Sequence, residues 1–141
     1  QKMVALAALM PIVAGVGGNA GTQTMAVTVR ALATNQLTQS NTLRAIRREI
    51  SIAVLNGLTV ACVIGTAVGL FFHHAALGGV IAAAMLTNIV IAGLAGVIVP
   101  LTLDRLKADP AVASSIFVTM TTDSMGFLAF LGLATASGLV G

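Results

Sequence analysis

Residues Pro11–Gln23 read PIVAGVGGNAGTQ: a proline, four glycines, an asparagine and a glutamine set inside an apolar run. No charge occurs on either side of it between Lys2 and Arg30. A helix needs about 20 apolar residues to cross the hydrocarbon core, so the stretch reads as part of a membrane-crossing helix, and that reading decides the fold. Helical from Met3 to Val29, the segment would run about 40 Å at 1.5 Å per residue. That exceeds the bilayer core, so tilt, extension beyond the core or a local break is expected. Pro11 removes one backbone hydrogen bond and the glycines weaken the helix further. Any break is therefore expected between Pro11 and Gln23.

The rest of the chain repeats the pattern. Of 141 residues, 57% are hydrophobic and 8% charged, with mean hydropathy +1.03, which leaves too little polar surface for a soluble globule. No charge lies from Ile50 to Leu103, and Asp123 alone follows Asp109. The middle gap holds two spans parted near His73-His74 and Gly78-Gly79. The expected fold is all-α, a polytopic membrane helical bundle in one transmembrane domain, 1–141, with spans near 4–29, 50–72, 78–103 and 111–140. A signal peptide does not account for four such segments. No sensor or catalytic domain is readable here, and the abrupt apolar start is expected of a fragment of a longer protein.

Arg30, Arg44, Arg47 and Arg48 flank the first connection, and Arg105 and Lys107 lie in the third. By the positive-inside rule, 33–48 and 104–110 are expected in the cytoplasm, and 73–77 and both termini outside, in a multi-pass plasma (inner) membrane protein. The lone Cys62 has no disulfide partner in the chain and leaves the compartment open.

Local signals fill in the connections. Ser40 or Asn41 is expected to cap the second helix, which opens on the basic turn TLRAIRRE, with Arg44 and Arg48 four apart and facing lipid headgroups. Gly65 and Gly69 have the spacing of a close helix contact, and Asn88 reads as interhelical glue ahead of ligand. Asp109 before Pro110 is expected to cap the last helix. His73 and His74 are adjacent, point apart and have no nearby carboxylate or cysteine, which argues against a metal pair.

Asp123 is the residue most in need of explanation. It falls about 18 Å into the last span, where insertion scales put a carboxylate at a cost of about 2.5–3.5 kcal/mol, so it should face a cavity or a partner. No lysine or arginine lies within the spans to neutralise it. Ser115, Thr119, Thr122 and Gly126 are expected on its side of the helix, an oxygen-bearing stripe leading to a carboxylate. One carboxylate does not neutralise a divalent ion, whereas a homodimer brings two copies to one axis. Hard cations take hydroxyl, carbonyl and carboxylate oxygens, and Mg²⁺ keeps its waters. Gly17, Gly18 and Asn19 would add carbonyl and amide oxygens from a loosened first helix, although Gly17 and Gly21 also fit close helix packing. GVGGNA matches a dinucleotide fingerprint, but no strand precedes it and no acidic residue follows at the required distance. No nucleophile–base–acid set is present, so an enzyme is not expected, nor a nucleic-acid partner.

The block PIVAGVGGNAGTQ, the VRALAT segment after it, Arg48-Glu49 followed by Asn56-Gly57, and the DPA…TTDSMG block resemble, in order, the membrane domain of the MgtE family of magnesium channels and transporters. The resemblance implies five membrane helices per subunit, a homodimer and a central pore lined by the helices matching the first and last spans here. It places the family's pore aspartate on Asp123, which would bind hydrated Mg²⁺ with its symmetry mate. Thr119, Ser115, Gly17, Gly18 and Asn19 fall on the neighbouring pore positions, with Ser115 where the family has asparagine. The family's first membrane helix and its cytosolic magnesium-sensing domains have no counterpart in these residues.

The leading expectation is Mg²⁺ transport through a homodimeric pore, with Mg²⁺ as transported ion and pore ligand and the bilayer as surroundings. Alternatives are a proton-coupled cation carrier titrating at Asp123, or a non-transporting membrane oligomerisation scaffold.

Overall fold

Hydrocarbon offers no hydrogen bonds to amide groups, so apolar segments of this length must satisfy their backbones internally. In the computed structural model, residues 2–38 and 40–140 are described, with side chains from Val4 onward. Their regular structure is four helices: α1 (Lys2–Ala33), α2 (Thr42–Phe71), α3 (Ala75–Arg105) and α4 (Pro110–Ala136). All four are long and apolar enough to cross a membrane.

Of the tilt, extension or local break expected of the first span, the break does not form. The helix runs unbroken through Pro11 and all four glycines to Ala33. Pro11 sits on an exposed face of the helix. An opened turn at that depth would strand backbone groups without water, and the continuous helix avoids this.

Each helix stops on a residue in the left-handed region: Asn35 (φ 55°), His73 (φ 51°), Lys107 (φ 58°) and Gly138 (φ 73°). Around His73 the amide of His74 donates to Gly69 O (3.0 Å) and that of His73 to Leu70 O (3.3 Å). This paired closure satisfies carbonyls that a helix end leaves open. It recurs at Lys107, with Ala108 N to Leu103 O (2.9 Å), and at Gly138, with Leu139 N to Ala134 O (3.0 Å). The histidine pair is thus a helix junction: His73 ends α2, and His74 Nδ1 accepts from Leu77 N (3.4 Å) at the start of α3.

The other caps divide. Asp109 caps α4, accepting from Ala111 N (2.9 Å). Asn41 occupies the cap position of α2 but does not cap it. Its Oδ1 accepts from Thr38 N (2.8 Å) and its Nδ2 donates to Gln36 O (2.7 Å), so the side chain ties down the connection instead.

α3 is the central helix. It packs against the other three, while α1 and α4 also pack on each other. Over half of its apolar window, 56%, is buried, against 22% for α2 and for α4. The α2–α3 seam is built from small residues: Ala53, Gly57, Ala61 and Gly65 repeat every four positions on the buried face of α2. A Cβ on Gly65 would lie 2.8 Å from Ala82 Cβ and 2.9 Å from Gly78 O, so the expected glycine contact is present. Leu6, Leu9 and Val13 of α1 meet Ile81 and Met85 of α3 and Phe130 and Ala134 of α4 in one apolar cluster. Outward faces remain apolar, as Leu55, Val63, Ile116 and Leu128 show.

Candidate functional site

α4 presents two adjacent stripes with a four-residue repeat. Ser114, Val118, Thr122, Gly126, Phe130 and Ala134 form the buried one. Ser115, Thr119 and Asp123 form the next, where Ser115 and Asp123 are half-buried and Thr119 is exposed. The single oxygen-bearing side expected from the sequence is therefore split. Thr122 and Gly126 face the bundle, while Asp123 and its companions lie at the border of that contact.

α1 supplies the opposite wall. A Cβ on Gly18 would lie 3.6 Å from Thr122 Oγ1, and one on Gly21 would lie 2.8 Å from Val118 Cγ1 and 3.3 Å from Thr122 Cγ2. The structure thus joins the glycine block to the residue beside Asp123. Asn19 is exposed on the adjoining face of α1. The carbonyls of this block remain in a continuous helix, and Thr22 Oγ1 also donates to Gly18 O (2.6 Å) and Asn19 O (3.1 Å).

Gly17 has a different neighbour. Its α-carbon faces the amide of Asn88, where a Cβ would overlap Nδ2. A Cβ on Gly126 of α4 would approach the same atom to 2.7 Å. Asn88 is fully buried, and its Nδ2 donates to Val13 O (2.9 Å). One amide from the central helix thus sits between glycines of α1 and α4 and bonds to α1. Its Oδ1 has no partner among the described residues, nor has the buried Ser114 Oγ. The sequence marked Asn88 as a helix contact, but not that it fits between glycines of the two helices bordering Asp123. Ser114 was missed, although its spacing of eight from Thr122 puts it on the same face.

The Asp123 carboxylate stands near the middle of α4, and every Lys and Arg of the chain lies outside the helices or within their first or last two turns. Its neighbours' hydroxyls are turned to their own helix: Thr122 Oγ1 donates to Thr119 O (3.1 Å) and Thr121 Oγ1 to Phe117 O (2.8 Å). No cluster of three or more His, Cys, Asp or Glu suited to a metal occurs among the described residues. One copy of the chain places a single carboxylate at this point, with Thr119 and Ser115 on the same stripe.

Against known proteins, the family profile of MgtE, described as a divalent cation transporter, matches residues 10–133. The chain belongs to the MgtE family. A curated relative named magnesium transporter MgtE, from Bacillus subtilis, is 35% identical over 136 residues, covering 96% of this chain and 30% of its own. The protein of that name from Enterococcus faecalis is 39% identical over 130 residues, covering 92% and 29%. That from Thermus thermophilus is 32% identical over 136 residues, covering 95% and 30%. The chain therefore spans about 30% of the length of the MgtE relatives it matches. The family match runs through the glycine block of α1 and Asp123 of α4, which borders the contact between that block and Thr122.

Proposed function

We propose that this chain forms the membrane part of a magnesium transporter, in which two copies enclose a path bordered by α1 and α4. The observation that carries the reading is the Asp123 carboxylate: half-buried, at mid-span, with no Lys or Arg in the middle of any helix, and beside the Gly18–Thr122 contact. A carboxylate so placed is costly unless it has work to do with a cation or water. Membership of a family of divalent cation transporters supplies the class of cargo.

In this reading Asp123 and its symmetry mate hold a Mg²⁺ ion through its water shell, since Mg²⁺ sheds water reluctantly. Thr119 and Ser115, one and two turns earlier on the same stripe, offer hydroxyls to that shell. Gly18 and Asn19 form the facing wall, and Gly17 sets the approach of α1 to α3. The connections 33–48 and 104–110 face the cytoplasm, and the membrane potential draws the ion inward.

The test is Mg²⁺ flux into liposomes carrying the full-length protein, read with an internal Mg²⁺-sensitive dye under a fixed potential. Asp123→Asn keeps the shape and removes the charge. The expected result is a loss of flux of at least about tenfold, with selectivity over K⁺ reduced, because the removed carboxylate is the only charge at that depth. Unchanged flux and selectivity would remove Asp123 from the path.

A further inference from the structure

At the end of the bundle where α1 leads into α2, Arg30, Arg44 and Arg48 line one cavity of about 470 Å³ with a single carboxylate, Glu49. Three arginines line a space whose other walls include Leu37 of the connection and Val97 of α3. The start of α2 adds to the positive field, because Asn41 is committed to the connection and leaves the helix end without a side-chain cap. Helix N-termini favour anions. The excess of positive charge has no counterpart in these walls, whose remaining members are neutral.

Arg44 also borders a second cavity of about 650 Å³, walled by Ser40, Leu43, Ile46, Arg47 and Ile50. Deeper along α2, on the face that carries Arg44 and Arg48, lie the exposed apolar side chains Leu55 and Leu58. A basic pocket therefore opens beside an apolar helix face that descends into the membrane. A free phosphate would satisfy the first cavity and leave the second bare. A molecule with an anionic phosphate at one end and hydrocarbon at the other satisfies both.

We infer that the α1–α2 corner is a discrete binding site for an anionic phospholipid, with its phosphate among Arg30, Arg44 and Arg48 and its acyl chains along the outer face of α2. Guanidinium groups suit the phosphate because their fork of donors matches two of its oxygens. The site is separate from the α1–α4 contact at Asp123, so its occupancy is measurable without any transport assay.

The test is native mass spectrometry of the full-length protein titrated with phosphatidylglycerol, with phosphatidylcholine as the neutral comparison. The pair Arg44→Gln/Arg48→Gln is compared with Arg105→Gln/Lys107→Gln, which removes the same charge from the other basic connection. Wild type should retain a saturable first phosphatidylglycerol, which the Arg44/Arg48 pair binds on the order of 30-fold more weakly, as expected for two basic groups near an anionic headgroup. The Arg105/Lys107 pair should bind as wild type does. Arg44→Lys/Arg48→Lys retains charge without the fork and should fall between wild type and the glutamine pair. Gel filtration of each variant separates lost binding from lost folding. Equal loss in both glutamine pairs would reduce the site to diffuse interfacial attraction and overturn the inference. Equal retention of phosphatidylcholine, or displacement of phosphatidylglycerol by millimolar inorganic phosphate, would overturn it as well.

Discussion

At the residue scale, Asn88 and its two glycines form one mechanical unit. The amide is fully buried and bonded to Val13 O, and the α-carbons of Gly17 and Gly126 are the only sizes that leave it room. Removing the amide opens a cavity and deletes an interhelical hydrogen bond. In membranes such bonds average about 0.6 kcal/mol, and a vacated side-chain volume adds to that. Asn88→Ala is therefore expected to destabilise the protein by about 1–3 kcal/mol, read as thermal unfolding in detergent. Gly17→Ala should destabilise by a similar amount, because the new methyl overlaps Nδ2. The double variant should not show the sum, since the methyl enters the space that the amide leaves. A coupling of about 1 kcal/mol or more in this cycle supports the cradle, and additive losses would show that the two residues do not share a contact.

At the scale of elements, the α2–α3 seam discriminates between glycines that look alike in the sequence. Gly65→Ala would push a Cβ onto Ala82 and onto the carbonyl of Gly78, whereas a Cβ on Gly79 meets nothing within 4 Å. Gly65→Ala should cost about 1–3 kcal/mol of stability. Gly79→Ala should be neutral or stabilising by up to about 1 kcal/mol through helix propensity. Thermal melts of the two variants check the pair, and equal effects would show that the seam is looser than its geometry. The four helices themselves were legible, because gaps between charges mark spans directly. The centrality of α3 was not, since lipid-facing and protein-facing residues are equally apolar and hydropathy does not separate them. The unbroken α1 was also hidden: Pro11 and the glycines weaken a helix in water, but in hydrocarbon an open turn has no water to receive its amides. Asp123 was legible as the single mid-span charge. The split between its stripe and that of Thr122 was not, because the two positions stand about 100° apart and only the packing of α1 and α3 decides which of them is buried.

At the scale of the whole molecule, Asp123 borders the bundle instead of being enclosed by it, and in the proposed assembly a second copy faces it there. Two carboxylates about one axis supply the charge that a divalent cation needs and that one copy lacks. The arrangement predicts proximity between equivalent positions. In a Cys62→Ser background, which removes the native exposed thiol, Asp123→Cys in the full-length protein in lipid should join into a covalent dimer with a short bis-maleimide reagent. Leu128→Cys, exposed on α4 and about 140° around the helix from Asp123, should remain monomeric under the same treatment. Mg²⁺ gives an independent reading, because a ligand that binds the folded dimer raises its melting temperature. At a Mg²⁺ concentration about 100 times the dissociation constant the gain is about 2.7 kcal/mol, and Asp123→Asn should lose most of it. Crosslinking at Leu128 in place of Asp123, with a Mg²⁺ shift that survives Asp123→Asn, would mean that the copies meet on another face and that the carboxylates do not share an ion.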